Sequence, residues 1–100
     1  MPTASGTVYL LASARNRTLY LGVTSNLAGR IRQHKEGATP GFSSRYGVSR
    51  LVWFETHDRV VDAIAREKQL KKWRRSWKLD LIEAANPGWL DLYDRVAHGG

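Results

Sequence analysis

Two short apolar runs near the start of the chain constrain its fold more than any other feature. Thr7–Ala12 and Leu19–Thr24 are rich in β-favouring residues, and the six residues between them are polar and turn-like. Runs of this length joined by such a link predict a β-hairpin. If the loop has an even number of residues, Tyr9, Tyr20 and Gly22 share one face of the predicted sheet.

A helix is predicted directly after the hairpin. Ser25 or Asn26 can cap this helix and Gly37 can end it. With 100° between successive residues, Arg30 and His34 lie one turn apart beside the helix's apolar stripe. Both polar side chains therefore point at the edge of the core.

The second half of the chain predicts one strand and a long helix. The strand spans residues 50–56, and Asp58 is the predicted cap of a helix over about residues 59–85 that breaks after Trp73. Counted along that helix, Trp73 and Trp77 lie on its apolar side. We therefore expect both tryptophans to close the core.

These elements predict an α+β protein, with a small three-stranded, mainly antiparallel β-sheet flanked by α-helices, built as a single domain over residues 1–100. The chain has no Cys, which excludes disulfide frameworks, thiolate zinc sites and cysteine nucleophiles. No apolar run approaches the roughly 18 residues that cross a bilayer. We expect a small soluble, cytoplasmic protein with no membrane partner.

Positive charge is concentrated in two blocks. The formal charge is +7, and residues 1–54 and residues 66–78 each net +6. Two such blocks predict one basic face with a polyanion as its partner, and nucleic acid is favoured over an acidic membrane surface or an acidic protein. The candidate nucleic-acid contacts are Arg32, Lys35, Arg45, Lys68, Lys71, Lys72 and Arg75.

One acid lies among the apolar residues of the long helix. With Val60 set at 0°, Glu67 falls at roughly 340°, in the middle of the apolar stripe. A carboxylate there must be paired, metal-bound or protonated, because an isolated buried charge is very costly. An ion pair with Lys71, one turn further on, is the structural alternative. The three histidines lack the spacing of a zinc site, whereas a single carboxylate suits Mg²⁺, which keeps several waters and takes a phosphate oxygen from its substrate.

The same residues form an ordered motif. Thr7-Val8-Tyr9 is followed after ten residues by Tyr20-Leu21-Gly22, then by Arg30 eight positions after that Gly, and by Glu67 on a later helix. This order and spacing resemble the GIY-YIG nuclease domain over about residues 7–93, and in particular its small stand-alone bacterial members.

The resemblance implies a site. Glu67 would bind a single divalent metal ion, Mg²⁺ or Mn²⁺. Tyr9 and Tyr20 would stand at the scissile phosphate, one of them, more often Tyr9, as general base for the attacking water. Arg30 would stabilise developing negative charge, and His34 would transfer a proton or contact phosphate. A phenol ionises near pH 10, so Tyr9 acts as a base at neutral pH only where positive charge lowers its pKa; otherwise it orients the water.

The resemblance also implies a function. Gly22 would leave room for backbone or substrate to approach. The protein would be a divalent-metal-dependent endonuclease that hydrolyses DNA one strand at a time, with branched or damaged DNA in repair or recombination as a candidate substrate and an accessory protein as a source of specificity. RNA stays open as a partner. The alternative is a noncatalytic nucleic-acid-binding module that keeps the fold, but a pure binder has no need for an acid on its apolar face.

Overall fold

The computed structural model describes residues 5–13, 18–36 and 48–98. Within these residues, the strands are β1 (Gly6–Ala12), β2 (Leu19–Thr24) and β3 (Arg50–His57). They pair in the order β2-β1-β3, and both pairings are antiparallel. The helices are α1 (Leu27–Glu36), α2 (Val60–Lys71), α3 (Arg75–Ala85) and α4 (Tyr93–His98). The predicted α+β fold is confirmed. None of the described helices is both long and apolar enough to cross a membrane.

The register of the hairpin places the tyrosines as the sequence predicts. Tyr9 of β1 lies opposite Gly22 of β2, and Leu11 lies opposite Tyr20. Residues directly opposite each other in an antiparallel pair point to the same face, and so do alternate residues along one strand. Tyr9, Tyr20 and Gly22 therefore share one face of the sheet.

Helices cover both faces of the sheet, which is why β1 is buried along its whole length. On one face, Val8 and Leu10 pack in a cluster with Ala63 and Leu70 of α2 and Ile82 of α3. On the opposite face, Tyr9 and Leu11 pack with Ile31 of α1, and Tyr93 and Val96 of α4 complete that cluster. The face that carries the tyrosines is therefore the face that α1 covers.

The ends of the helices follow the predictions in part. Asn26 caps α1, since its Oδ1 accepts the backbone N–H of Gly29 at 3.2 Å. The predicted Asp58 cap of α2 is wrong: Arg59 occupies the N-cap position, with no side-chain capping hydrogen bond. Lys72 is the C-cap of α2, so the break comes slightly earlier than predicted.

The earlier break changes the environment of one tryptophan. Trp73 packs against the core, as predicted. Trp77 is 48% exposed, and its prediction as a core residue is wrong. The 100° count is valid only within one continuous helix, and here α2 ends at its C-cap Lys72 and α3 starts anew at Arg75 after the extended backbone of Arg74.

One carboxylate ties the C-terminal segment to the rest of the molecule. Asp91 accepts the backbone N–H groups of Leu51 at 3.2 Å and Tyr93 at 3.0 Å, and Lys35 of α1 donates to it at 2.5 Å. Burial opposes ionisation of Asp91, but these hydrogen bonds outweigh it and hold its pKa below the usual value. Asp91 therefore links β3, α1 and α4 on the side of the sheet that carries the tyrosines.

Candidate active site

Three aromatic side chains from three elements meet on the α1 face of the sheet. The Tyr9 hydroxyl lies 3.3 Å from Nε2 of His34, and both residues are buried. The Tyr20 ring lies 6.3 Å from the Tyr9 ring and 5.2 Å from the His34 ring, measured between centroids. The hairpin supplies both tyrosines, while α1 supplies the imidazole from the position one turn after Arg30. The structure thus brings together three of the five predicted catalytic residues by direct contact.

The absence of a side chain at Gly22 leaves the space that the Tyr9 phenol occupies. A Cβ atom built at Gly22 would lie 2.5 Å from the Tyr9 hydroxyl oxygen, 2.6 Å from its Cζ and 3.1 Å from Cε1 of Tyr20. Such distances are too short for any side chain larger than hydrogen. The phenol therefore crosses over Gly22 towards the outer edge of β2, which is an edge strand of the sheet.

The same environment shifts the pKa of Tyr9 and of His34 in opposite directions. Burial raises the pKa of the Tyr9 phenol, and the nearby Tyr20 and Glu67 raise it further, while Arg30 opposes them. Burial lowers the pKa of His34, and the positive charge of Arg30 lowers it further. At neutral pH the phenol is protonated and the imidazole is neutral.

Arg30 and Glu67 bring their charges to this cluster. Burial is the main cause of the raised pKa of Tyr9; the positive charge of Arg30 lowers this pKa, and the negative charge of Glu67 raises it. Glu67 comes from α2 on the other side of the sheet, its side chain is 15% exposed, and its Oε2 lies 3.5 Å from Nζ of Lys71. The i,i+4 ion pair that the sequence offers as the structural alternative is therefore present.

Arg30 also lines a polar pocket at the start of α1. The other lining residues include Thr24, Asn26 and Gln33. Thr24 and Gln33 are not among the site residues that the sequence predicts. Gln33 stands three residues after Arg30, and that i,i+3 spacing places the two side chains on one face of a helix, which is the signal that identifies it. The pocket offers hydroxyl, amide and guanidinium groups, which all suit a phosphate oxygen.

The residues present fit a divalent metal ion held by one carboxylate. Within the described residues, no group of three or more His, Cys, Asp or Glu side chains could hold a metal ion. Glu67 is a single, largely buried oxygen donor. Mg²⁺ and Mn²⁺ accept that arrangement because water and substrate phosphate oxygens complete their coordination, whereas structural zinc requires a complete set of protein ligands.

The predicted nucleic-acid contacts on α1 already have protein partners. Lys35 pairs with Asp91 and lies 5.3 Å from the centroid of the Tyr93 ring. Arg32 pairs with Glu36 at 3.0 Å on the helix surface. Lys35 therefore supports the C-terminal segment, and its contact with nucleic acid stays a prediction, as does that of Arg32.

The predicted contacts on α2 and α3 are more open. Lys68, Lys72 and Arg75 are exposed, and among the described residues neither Lys68 nor Lys72 forms an ion pair. Lys71 is 60% exposed beside Glu67. Arg45 lies outside the described residues. Among the described residues, the second basic block therefore offers two exposed cations without an ion pair, Lys68 and Lys72.

The fold is a three-stranded antiparallel sheet between two helical layers. It carries two tyrosines on the hairpin, an Arg and a His on α1, and a Glu on α2. This combination of fold and residues is typical of one class of catalytic domain. The family model of the GIY-YIG catalytic domain matches residues 5–80, and the chain belongs to this family. The predicted resemblance is confirmed.

Relatives and a solved structure agree with this assignment. The chain is 36% identical over 77 residues to a UPF0213 protein of Clostridium perfringens, covering 77% of this chain and 82% of that protein. It is also 36% identical over 80 residues to a UPF0213 protein of Syntrophus aciditrophicus, covering 76% of this chain and 87% of that protein. The solution NMR structure of the UPF0213 protein BH0048 from Bacillus halodurans has a TM-score of 0.54 and 24% identity, covering 87% of this chain and 92% of that one, and shows the same fold.

Proposed function

We propose that this protein is a divalent-metal-dependent endonuclease that hydrolyses a phosphodiester bond of DNA, one strand at a time. The observation that carries the proposal is the contact between the Tyr9 hydroxyl and Nε2 of His34, within reach of the charges of Arg30 and Glu67. A module that only binds DNA gains nothing from a buried tyrosine–histidine pair whose tyrosine also feels the charge of a carboxylate. Membership of the GIY-YIG family supports the same reaction.

The opposite pKa shifts suggest how a proton moves. A free Tyr9 phenolate is scarce at neutral pH because the pKa of Tyr9 is raised. Tyr9 therefore accepts a proton from the attacking water on its oxygen while it passes its own proton to Nε2 of His34, which is neutral because its pKa is lowered. The water oxygen forms the new bond to phosphorus, the bond to the leaving oxygen breaks, and solvent protonates that oxygen.

Arg30 and Glu67 act on the phosphate. The guanidinium of Arg30 is always charged and can fork onto two phosphate oxygens, which makes Lys a poor replacement. Glu67 would hold the Mg²⁺ or Mn²⁺ ion, which when bound neutralises negative charge on the phosphate as a Lewis acid. Without metal, the positive charge of Lys71 partly neutralises the carboxylate of Glu67. An i,i+4 ion pair with one exposed partner is weak, so a metal ion can replace Lys71 as the partner of Glu67.

The basic residues of α2 and α3 supply the affinity for the backbone. Lys68, Lys72 and Arg75 would contact phosphates without reading sequence. We infer that selectivity comes from the shape of the DNA, with branched or damaged molecules in repair or recombination as the candidate class, or from an accessory protein.

Nicking of supercoiled and branched DNA with and without Mg²⁺ tests the proposal. We expect Glu67→Gln to lose on the order of 100-fold or more in cleavage rate, because the ligand of a metal that contributes several kcal/mol is gone. Glu36→Gln makes the same chemical change on the exposed surface of α1, in the pair with Arg32, and should cut like wild type.

Two results would contradict the proposal. If Glu67→Gln cuts as fast as wild type, the metal role of Glu67 is wrong. If wild type and variant both bind DNA with a strong inverse salt dependence but neither cuts any substrate, the protein is a binding module.

A further inference from the structure

Trp77 differs from the other three tryptophans in its exposure. Trp53 and Trp89 are 6% and 1% exposed, and Trp73 is partly buried against the core. Trp77, in the first turn of α3, is 48% exposed. A large aromatic surface left in water forgoes the burial that usually stabilises such a residue, and it marks a candidate contact surface.

The exposed ring is held in place by its neighbours. Trp73 packs edge-on against Trp77, with centroids 6.0 Å apart and planes at 82°. The guanidinium of Arg74 lies 5.6 Å from the centroid of the Trp77 ring, and that of Arg66 lies 5.4 Å from the centroid of the Trp73 ring. Trp77 is 48% exposed even with the Arg74 guanidinium next to its ring. Part of the ring surface is therefore open for a ligand to bind beside Arg74. Such a fixed aromatic surface loses little conformational entropy when a ligand stacks on it.

The surrounding charge identifies the chemistry of the ligand. Residues 66–78 net +6, and their one acid, Glu67, is largely buried. Lys72 and Lys78 form no ion pair among the described residues. A ligand that fits must place negative charge on the cations and a flat apolar ring on Trp77. A nucleic-acid strand does both, because each nucleotide carries a phosphate and a base.

We propose that Trp77 is a stacking site for an unpaired base of the bound DNA, with Arg74 beside the stack. The proposal rests on the proposed function and adds a contact that only an unpaired base can make, because both faces of a base within a duplex are already stacked. Glu67 lies five residues before Lys72, the C-cap of α2, which corresponds to roughly 7.5 Å along the helix axis. Trp73 follows directly, and the centroid of its ring is 6.0 Å from that of Trp77. Trp77 thus binds a base a few nucleotides from the phosphate that Glu67 serves.

The test compares the binding of one unpaired oligodeoxynucleotide and of the blunt duplex of the same sequence, by fluorescence anisotropy in EDTA so that nothing is cut. Trp77→Ala should raise the Kd for the unpaired strand about 5- to 100-fold, the usual effect of removing one aromatic–base stack, and the Kd for the duplex less than about twofold. Trp77→Tyr should restore most of the affinity because it keeps a stacking ring. Leu90→Ala removes a residue that is 66% exposed outside the basic segment and should bind both DNAs like wild type.

A second readout separates stacking from a structural or electrostatic effect. Because Trp77→Ala removes no charge, the slope of log K against log salt should stay that of wild type. A changed slope, an equal loss on both DNAs, or no loss on either overturns the stacking site, and circular dichroism confirms that each variant is folded. If wild type binds neither DNA, the proposed function falls as well; if wild type binds and cuts while Trp77→Ala binds normally, the stacking site alone is wrong.

Discussion

Tyr9 and His34 illustrate how burial sets the chemistry of a single pair of side chains. Burial disfavours the charged form of every group, so it raises the pKa of the phenol and lowers that of the imidazole. The pair is therefore kept neutral, with the Tyr9 hydroxyl oxygen 3.3 Å from Nε2 of His34. The proposed proton transfer uses the tautomer whose Nε2 carries no hydrogen. Gly22 makes the arrangement possible because any side chain there would occupy the place of the phenol.

The pH dependence of cleavage should report the protonation of His34. Protonated His34 has no free Nε2 to accept the Tyr9 proton, so the rate should fall about tenfold per pH unit below the pKa of His34, which lies below its ordinary value of 6.5. His34→Ala should lower the rate about 10²- to 10⁴-fold and remove this acid limb. The measurement is the pH profile of the cleavage rate for wild type and variant.

His57 provides a matched control for this profile. Its Nε2 bonds Glu55 at 2.8 Å, away from the tyrosine cluster, so His57→Gln should keep the acid limb. Because its pKa is lowered in the folded protein, His34 binds protons more readily in the unfolded state. The stability of the fold therefore also decreases as the pH drops below about 6.5. Circular dichroism at each pH distinguishes unfolding from loss of catalysis. An acid limb that persists in His34→Ala would assign it to another group.

At the scale of elements, a close approach between β1 and α2 sets the position of Glu67. A Cβ atom built at Gly6 would lie 2.8 Å from Cα of Val60 and 2.9 Å from Cβ of Ala63. The small residues Gly6 and Ala63 let the helix lie directly on the strand. Since Tyr9 lies on β1 and Glu67 on α2, this contact fixes the spacing between the phenol and the carboxylate.

Gly6→Ala should therefore reduce both stability and metal-dependent cleavage. The backbone of α2 must shift to admit the methyl group, at a cost of about 1–3 kcal/mol, and the shift carries Glu67 with it. We expect a lower Tm and a higher metal concentration for half-maximal cleavage. At Gly88 the nearest atom to a built Cβ is 3.6 Å away, an ordinary contact, so Gly88→Ala should behave like wild type in both assays. A Gly6→Ala protein with the wild-type Tm and metal dependence would show that this contact is not tight in solution.

Local patterns predicted the elements that build most of the site. Alternation in the hairpin predicted that Tyr9 and Tyr20 share a face, and helical spacing predicted that His34 lies at the core edge; both depend only on residues close in sequence. Trp77 and the cap of α2 were predicted wrongly because they depend on where the chain breaks and turns. The partners of Lys35 and the approach of α2 to Gly6 join residues far apart in sequence, and no periodicity reports such contacts.

At the scale of the whole molecule, the two basic blocks differ in how much of their charge is available. On α1, Arg32 and Lys35 are paired with Glu36 and Asp91. On α2, Lys68 is exposed, and Lys72, the C-cap four residues on, lies on the same side, with no ion pair for either among the described residues. The two blocks have the same formal charge of +6, but the two predicted contacts on α1 are both paired, whereas on α2 Lys71 is paired with Glu67 and neither Lys68 nor Lys72 forms an ion pair among the described residues.

The double variant Lys68→Ala with Lys72→Ala should weaken DNA binding to a similar degree for unrelated sequences, because lysines that bind phosphate oxygens read no sequence information. For every duplex phosphate that the variant no longer neutralises, the slope of log K against log salt should become shallower by about 0.9, which binding titrations at several salt concentrations measure. Arg59→Ala with Arg95→Ala removes the same charge from exposed positions outside residues 66–78 and should change the slope much less. If binding is weaker for one sequence only, these lysines read bases rather than phosphates. If the control variant binds DNA as weakly as the double lysine variant, net charge rather than a surface on α2 determines the affinity for DNA.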